Sequence, residues 1–267
     1  MRQYYFFRRF LSLISITFLF YLGVSDLHSA EPEIKIHYLG HSAFVLQFDN
    51  GITIVTDYGH ENAWVNWGWD SPIHSIGELV PNVMTYSHQH DDHYDPDRIP
   101  ESVSHILTGL DSLSIGGIDI KPIRTCEDSI YVESNTSYIF IYKGIKICHL
   151  ADAQAQIMSV NSNEDVRNHI KTIFPDTFDL LLMTIEGKQK FISQAEAFID
   201  LLKPRRIIPM HYWSQTYKED FIDYLRGQNN ADKKYQIQVC DSSSYDFFVS
   251  EDSDSMRVIS LTPAPFH

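Results

Sequence analysis

The sequence predicts a mixed α/β fold in one domain, on three observations. Short β-type runs alternate with turns from residue 34 onward, one stretch has clear helical spacing, and the segments rich in His and Asp follow directly on apolar runs. Of 267 residues, 43% are apolar and 13% aromatic. That fills a sizeable core and excludes disordered, collagen-like and low-complexity classes.

The elements follow in chain order. Residues 1–9 carry Arg2, Arg8 and Arg9, and 10–24 form an almost continuous apolar run ending beside Gly23 and Ser25. This is the pattern of a signal peptide over 1–30, cleaved after Ser25 or Ala30. The run falls short of the roughly 20 apolar residues that a spanning helix needs, and it contains Ser12, Ser15 and Thr17. The expectation is therefore export, periplasmic or secreted, with a membrane anchor as the alternative, and a single domain over 31–267. Runs at 34–38, 43–48 and 52–56, with Asp49-Asn50-Gly51 as the turn, predict an antiparallel opening sheet. Further strands are expected at 83–86, 105–107, 138–142, 145–150, 180–184 and 206–210, with Lys143-Gly144 turning one pair. Ser193 and Glu196 have capping-box spacing before Ala195, Phe198, Ile199 and Leu202, which predicts a helix that Pro204 stops. A second helix is expected over 219–226, and the Asp/Ser-rich stretch 241–254 reads as a surface hairpin.

Charge narrows the partners. With 21 Lys+Arg against 35 Asp+Glu, the formal charge of −14 repels phosphate backbones, so no nucleic-acid partner is expected. Three cysteines make no disulfide framework; Cys148 should face the core, while Cys126 and Cys240 could pair after export. Asn135-Thr136-Ser137 is a glycosylation sequon, relevant only in a eukaryotic secretory pathway.

The chemistry is concentrated in Ser87-His88-Gln89-His90-Asp91-Asp92-His93, directly after the expected strand 83–86. Imidazoles and carboxylate without thiolate suit zinc, manganese or iron, and a loop at a strand end can aim several of them at one point. His149 and Asp152 follow the run 145–150, and His211 follows 206–210, so each also stands at a strand end.

These motifs resemble the metallo-β-lactamase superfamily, whose first signature is His-x-His-x-Asp-His. More closely, the chain resembles the branch of metal-dependent hydrolases related to ascorbate phosphate lactonase and to the phospholipase D that cleaves N-acyl phosphatidylethanolamine. The matching pieces are Tyr38-Leu39-Gly40-His41-Ser42, Thr56-Asp57, 88–93, His149-Leu150-Ala151-Asp152, 180–187, and 203–212 with Ile208-Pro209-Met210-His211-Tyr212, together spanning 34–213. The resemblance implies an αββα four-layer sandwich and two divalent ions, zinc in the first place with manganese or iron as alternatives. It implies that His88, His90 and His149 hold the first ion, that Asp92, His93 and His211 hold the second, and that Asp152 bridges them. Asp92, Asp152 and His211 would then carry catalysis by a shared hydroxide, while Asp57 and His41 orient ligands. The implied activity is hydrolysis of an ester-type bond, phosphodiester or lactone, in a small-molecule or lipid-like substrate.

Two departures stand out. The family's Asp-Pro turn is here Asp57-Tyr58-Gly59-His60, and its His-Leu-Gly-Asp run is His149-Leu150-Ala151-Asp152. Trp64, Trp67 and Trp69 follow the altered turn and read either as a substrate platform, a lid or a membrane-dipping loop, or as packing beneath a long loop. Glu186 and Lys188 fall where the resemblance places a substrate-facing loop, and an exposed loop pair is the plainer reading. Two other classes compete: a binuclear iron redox protein, disfavoured by His90 and by the lack of a flavin domain, and an exported metal-binding or lipid-surface protein with little catalysis, disfavoured by the full set of seven donors.

Overall fold

The structure, a computed structural model, describes residues 31–267 apart from 71, 131, 133, 187–188, 229–233 and 250–254; the signal-like segment and Lys188 lie outside the described residues. The chain runs through β1 (Ile34–Gly40), β2 (Ala43–Phe48), β3 (Thr53–Thr56), β4 (Val83–Thr85), β5 (His105–Leu107), β6 (Leu113–Ile115), β7 (Ile118–Thr125), β8 (Asn135–Tyr142) and β9 (Ile145–His149). It continues through α1 (Gln154–Ser159), α2 (Glu164–Ile173), β10 (Leu180–Glu186), α3 (Gln189–Leu202), β11 (Arg206–Tyr212), α4 (Gln215–Gln228), β12 (Tyr235–Val239), β13 (Ser244–Phe247) and β14 (Met256–Ser260).

These strands make two sheets, one ordered β13-β1-β2-β3-β4-β5 and the other β12-β14-β11-β10-β9-β8-β7-β6. The opening sheet is antiparallel through β1, β2 and β3, and β4 then joins β3 in parallel. In the second sheet β9, β10 and β11 are mutually parallel. Parallel pairing puts the carboxyl ends of neighbouring strands side by side, which is where ligands bind in sheets of this kind.

The main core joins both sheets, with Tyr38, Phe44, Leu46, Phe140, Ile147 and Leu181 among its fully or almost fully buried members. In β2, Phe44 and Leu46 enter this core while Ala43 and Val45 enter a second cluster with Leu39, Val55 and Met84. Both faces of β2 are thus buried, which fits its nearly continuous apolar run. Helices α3 and α4 pack on β10 and β11. The second cluster is closed by Tyr58, Ile73, Ile76 and Phe266 from irregular chain, so over the opening sheet the outer layer is built largely of loops.

Several expectations change. Helix α3 begins at Gln189, earlier than the capping box implied, and Ser193 is interior, its hydroxyl donating back to the Lys190 carbonyl at 3.1 Å. Part of the Asp/Ser-rich stretch is not a surface hairpin: β13 extends the opening sheet through antiparallel pairing with β1. All three cysteines are free, Cys126 and Cys148 buried and Cys240 half-buried. Asn135 of the sequon is buried in β8, its side-chain amide donating to Thr125 Oγ1 at 2.7 Å and to the Leu150 carbonyl at 3.2 Å, and is unavailable as an acceptor of sugar in the folded chain. Among the described residues, no helix is long and apolar enough to cross a membrane.

Candidate metal centre

The site forms where strand ends of both sheets meet. Asp57 leaves β3, residues 87–93 leave β4, Asp152 follows β9, Glu186 ends β10, and His211 stands next to last in β11. The two halves are tied by the backbone N–H of His211, which donates to the carbonyl of His41 at 2.9 Å. Gly59 lets the Asp57 turn press on the His-rich loop: a Cβ there would lie 2.3 Å from the Asp92 carbonyl carbon. The backbone N–H of His60 then donates to the Asp91 carbonyl at 2.6 Å.

Asp57 is fully buried and accepts from the Ser87 N–H (2.8 Å), the Ser87 hydroxyl (2.8 Å) and His93 Nδ1 (2.7 Å). Burial pushes its carboxyl up, but the His93 charge and hydrogen bond outweigh this and hold it below the ordinary range. With Nδ1 donating to Asp57, His93 presents the Nε2 lone pair to the cluster. On the other side His211 Nδ1 lies 2.6 Å from Glu186 Oε1, an ion-pair contact outside hydrogen-bond alignment, and the carboxylate charge favours a proton on that nitrogen. The two Nε2 atoms then face each other at 3.2 Å. Two lone pairs at that separation repel unless a proton or a cation stands between them.

Asp92 Oδ2 lies 3.3 Å from His93 Nε2 and 3.9 Å from His211 Nε2, and it accepts from His41 Nε2 at 2.8 Å. Its Oδ1 is buried without a hydrogen-bond partner. Burial and the neighbouring His211 push His41 down to about 3, so His41 is a neutral donor. Asp152 Oδ1 lies 3.6 Å from His211 Nε2 and accepts from Gln154 Nε2 at 2.7 Å. The Asp152 carboxylate falls within two groups of donor atoms, one with His88 and His93 and one with Glu186 and His211, in which all donors lie within 4.8 Å of one another.

Four buried carboxylates, Asp57, Asp92, Asp152 and Glu186, surround this point, and among the described residues their ion pairs are all with imidazoles. Burial opposes a charge on His93 and His211, yet the adjacent carboxylates overcome it, raising His93 well above its usual value and His211 to about 9. Such a centre is built to hold positive charge. The converging lone pairs and the orphaned Asp92 oxygen fit divalent ions with nitrogen and oxygen ligands.

Six of the seven expected donors therefore converge: His88, His90, Asp92, His93, Asp152 and His211. His149 does not. Its ring is fully buried, Nε2 donates to the Ser42 carbonyl at 2.8 Å, and it joins none of the donor groups among the described residues. Its Nδ1 is buried without a hydrogen-bond partner. Glu186 is also corrected: it is not an exposed loop residue but the buried end of β10, accepting from Gln154 Nε2 at 2.7 Å and Trp213 Nε1 at 3.0 Å.

Beside the cluster opens a cleft of about 340 Å³ walled by Trp64, Trp69 and Trp213, with Glu127, Gln154 and Glu186 among its polar groups. The Trp69 and Trp213 rings stack at 5.2 Å, and Trp69 stands edge-on to His41 at 4.5 Å and to His211 at 5.5 Å. No Lys or Arg lines this cleft among the described residues. Trp213, Gln154 and Glu127 were not singled out from sequence; Trp213 lies only two residues beyond His211, a proximity that could have drawn attention.

Residues 35–211 match the family described as the beta-lactamase superfamily domain. No curated protein matches the sequence. Among solved structures, the chain is similar to a candidate Zn-dependent hydrolase of the metallo-beta-lactamase superfamily from Thermotoga maritima, with 23% identity and a TM-score of 0.56 over 86% of this chain and 100% of that one. It is also similar to a candidate metal-dependent hydrolase from Parabacteroides distasonis, at 17% identity and a TM-score of 0.53 over 75% and 91% of the two chains. An isothiocyanate hydrolase from Delia radicum gut bacteria aligns at 12% identity and a TM-score of 0.51 over 74% and 94%. These likenesses are of fold.

Proposed function

We propose that this chain, which belongs to the beta-lactamase superfamily, is an exported metal-dependent hydrolase that holds two divalent ions and cleaves an uncharged ester-type bond, with a lactone as the model substrate. The observation that carries the metal centre is the pair of Nε2 atoms of His93 and His211, turned toward each other at 3.2 Å by Asp57 and Glu186. Asp92, His93 and His211 would hold one ion, His88 and His90 would contribute to the other, and Asp152 would reach both. Bound ions lower the pKa of a water and polarise the scissile oxygen. The chain's own groups do the rest. Asp57 and Glu186 keep the imidazole protons on the outer nitrogens, His41 steadies Asp92, and Gln154 fixes the Asp152 carboxylate.

The substrate class follows from the cleft. A phosphodiester would enter a site whose described walls beyond the His90 and His211 donors carry carboxylates and tryptophans, with no Lys or Arg to meet a phosphate charge. A neutral ester or lactone with an apolar face meets no such repulsion and can stack on Trp69. This favours the lactonase side of the branch resemblance over the phosphodiesterase side. The Arg-flanked apolar run within residues 1–30 supports export, with a mature chain starting near Asp26 or Glu31 that N-terminal sequencing reads directly. Purified protein loaded with zinc or manganese should hydrolyse lactones in preference to phosphodiesters, thioesters and β-lactams. A metal-loaded protein inert toward all four classes would overturn the reading.

A further inference from the structure

We infer that Glu127, and not His149, is the third protein ligand of the ion held by His88 and His90. The inference rests on reading the cluster as a metal centre. His88 Nε2 and His90 Nδ1 approach to 3.1 Å, and the Glu127 carboxylate faces both, Oε1 lying 3.4 Å from His90 Nδ1 and Oε2 3.9 Å from His88 Nε2. Donors 2.0–2.2 Å from a tetrahedral ion are separated from one another by about 3.3–3.6 Å; the His90–Glu127 separation falls in this range and the other two lie within a few tenths of an ångström on either side of it, the carboxylate offering a different oxygen to each ring.

The choice of nitrogen is decisive. A carboxylate that merely orients a ligand histidine bonds to the ring nitrogen turned away from the metal. Glu127 instead meets His90 at Nδ1, the nitrogen that also faces His88. The outward nitrogen of His88, Nδ1, is already 3.0 Å from Ser87 Oγ, so His88 has its orienting partner. His149 has Nε2 on the Ser42 carbonyl, and its buried Nδ1, which has no hydrogen-bond partner, joins none of the donor groups among the described residues.

The backbone holds Glu127 in place from both sides. The N–H of Cys126 donates to Gln156 Oε1 at 3.0 Å, the Cys126 carbonyl accepts from the N–H of Ala155 at 3.0 Å, and the Glu127 N–H donates to Ser134 Oγ at 3.1 Å. Helix α1, which begins two residues after Asp152, thereby couples the position of Glu127 to that of the carboxylate shared between the two donor groups.

The test uses the full purified chain as wild type, Glu127→Gln, Glu127→His and His149→Gln, each loaded with zinc and dialysed. Ions per chain are counted by elemental analysis, affinities are taken by competition with a chromogenic chelator, and cobalt(II) loading gives a visible spectrum of the ligand field. Wild type should hold two ions. Removing an outer-shell partner costs roughly 10–100-fold in affinity, so Glu127→Gln, which removes a ligand, should weaken one ion by about 100-fold or more and change the cobalt spectrum. Glu127→His should restore the ion, and His149→Gln should keep both. Should His149→Gln fail to fold, Glu127→Gln decides alone, being an isosteric change at a partly exposed side chain. Two ions bound to Glu127→Gln at wild-type affinity would overturn the assignment while leaving the metal centre standing. A wild-type chain that binds no ion would overturn both.

Discussion

Asp57 touches no substrate, yet replacing it with Asn should disable the centre, because the change alters which nitrogen of His93 carries the proton. Two of the three bonds that Asp57 accepts fall on Oδ2, from the Ser87 hydroxyl and from His93 Nδ1, and the third falls on Oδ1 from the Ser87 N–H. In Asp57→Asn an amide NH₂ must replace one of these oxygens. Placed at Oδ1 it confronts the Ser87 N–H, donor against donor. Placed at Oδ2 it lets the hydroxyl rotate, but His93 must surrender its Nδ1 proton and carry it on Nε2, where it blocks the lone pair that faces His211. Each charge-assisted bond contributes about 1.5–3 kcal/mol, so losing one and weakening another should cost the metal-free protein about 2–4 kcal/mol. Metal affinity should fall about 10–100-fold, or roughly 1.4–2.8 kcal/mol. Denaturant unfolding in chelator measures the first figure and chelator competition measures the second. Wild-type affinity for both ions in Asp57→Asn would refute the tautomer argument, whatever the stability did.

Three further outcomes are expected. Asp152→Ala should nearly abolish hydrolysis and weaken one ion while the fold survives, since this carboxylate lies within both donor groups; elemental analysis finding two tightly held ions together with full activity would rule out the bridging role. Trp69→Ala should raise KM, and because Trp69 is only half-buried the loss of stability should stay below the roughly 3–5 kcal/mol of a core tryptophan, as steady-state kinetics and thermal melting can establish. Gly59→Ala should destabilise by about 1–3 kcal/mol and lower metal affinity together, because its Cβ would sit 2.3 Å from the Asp92 carbonyl carbon and 2.6 Å from the Asp91 carbonyl oxygen, both backbone. An unchanged melting temperature would show that the turn can move freely.

What was legible in the sequence is what local physics determines. The hairpin between β8 and β9 was readable because Lys143 and Gly144 both take positive φ, as a two-residue turn requires. The His-rich loop was readable because four of the converging donors lie within six residues. Helices α1 and α2 were not, since α2 buries only Ile170 fully and offers little apolar periodicity. Strand β13 was not, because its partner β1 lies about 200 residues earlier and no local pattern encodes that pairing. Glu186 was misread as a loop residue because the apolar run stops at Ile185 while the ladder with β11 continues to Glu186 opposite Tyr212. Glu127 illustrates the same limit from the other side: an acidic residue in the loop after a strand carries no signal until α1 folds back and fixes its backbone.

The conformation of the site residues explains why composition alone understates the centre. Eight non-glycine residues among those described have positive φ, and five of them, His41, Asp57, Ala151, Glu186 and His211, lie in the site or beside a proposed ligand. Each such residue costs on the order of 1 kcal/mol or more and persists only where its surroundings over-determine it. For His41, Asp57, Glu186 and His211 the reason is chemical: glycine would relax the backbone and delete the donor or acceptor. Ala151 has no such group, and glycine is what the resembling family carries there. Its methyl is fully buried, and its carbonyl accepts from the Thr184 hydroxyl on the neighbouring strand. Burying one methyl is worth about 0.8 kcal/mol, close to the cost of the left-handed backbone, so alanine and glycine are nearly equivalent at this position. The turn is therefore set by the need to swing Asp152 from the end of β9 toward His211, and not by the residue that makes it. Strain that gathers at strand ends where carboxylates and imidazoles converge reflects positions selected for what their side chains reach.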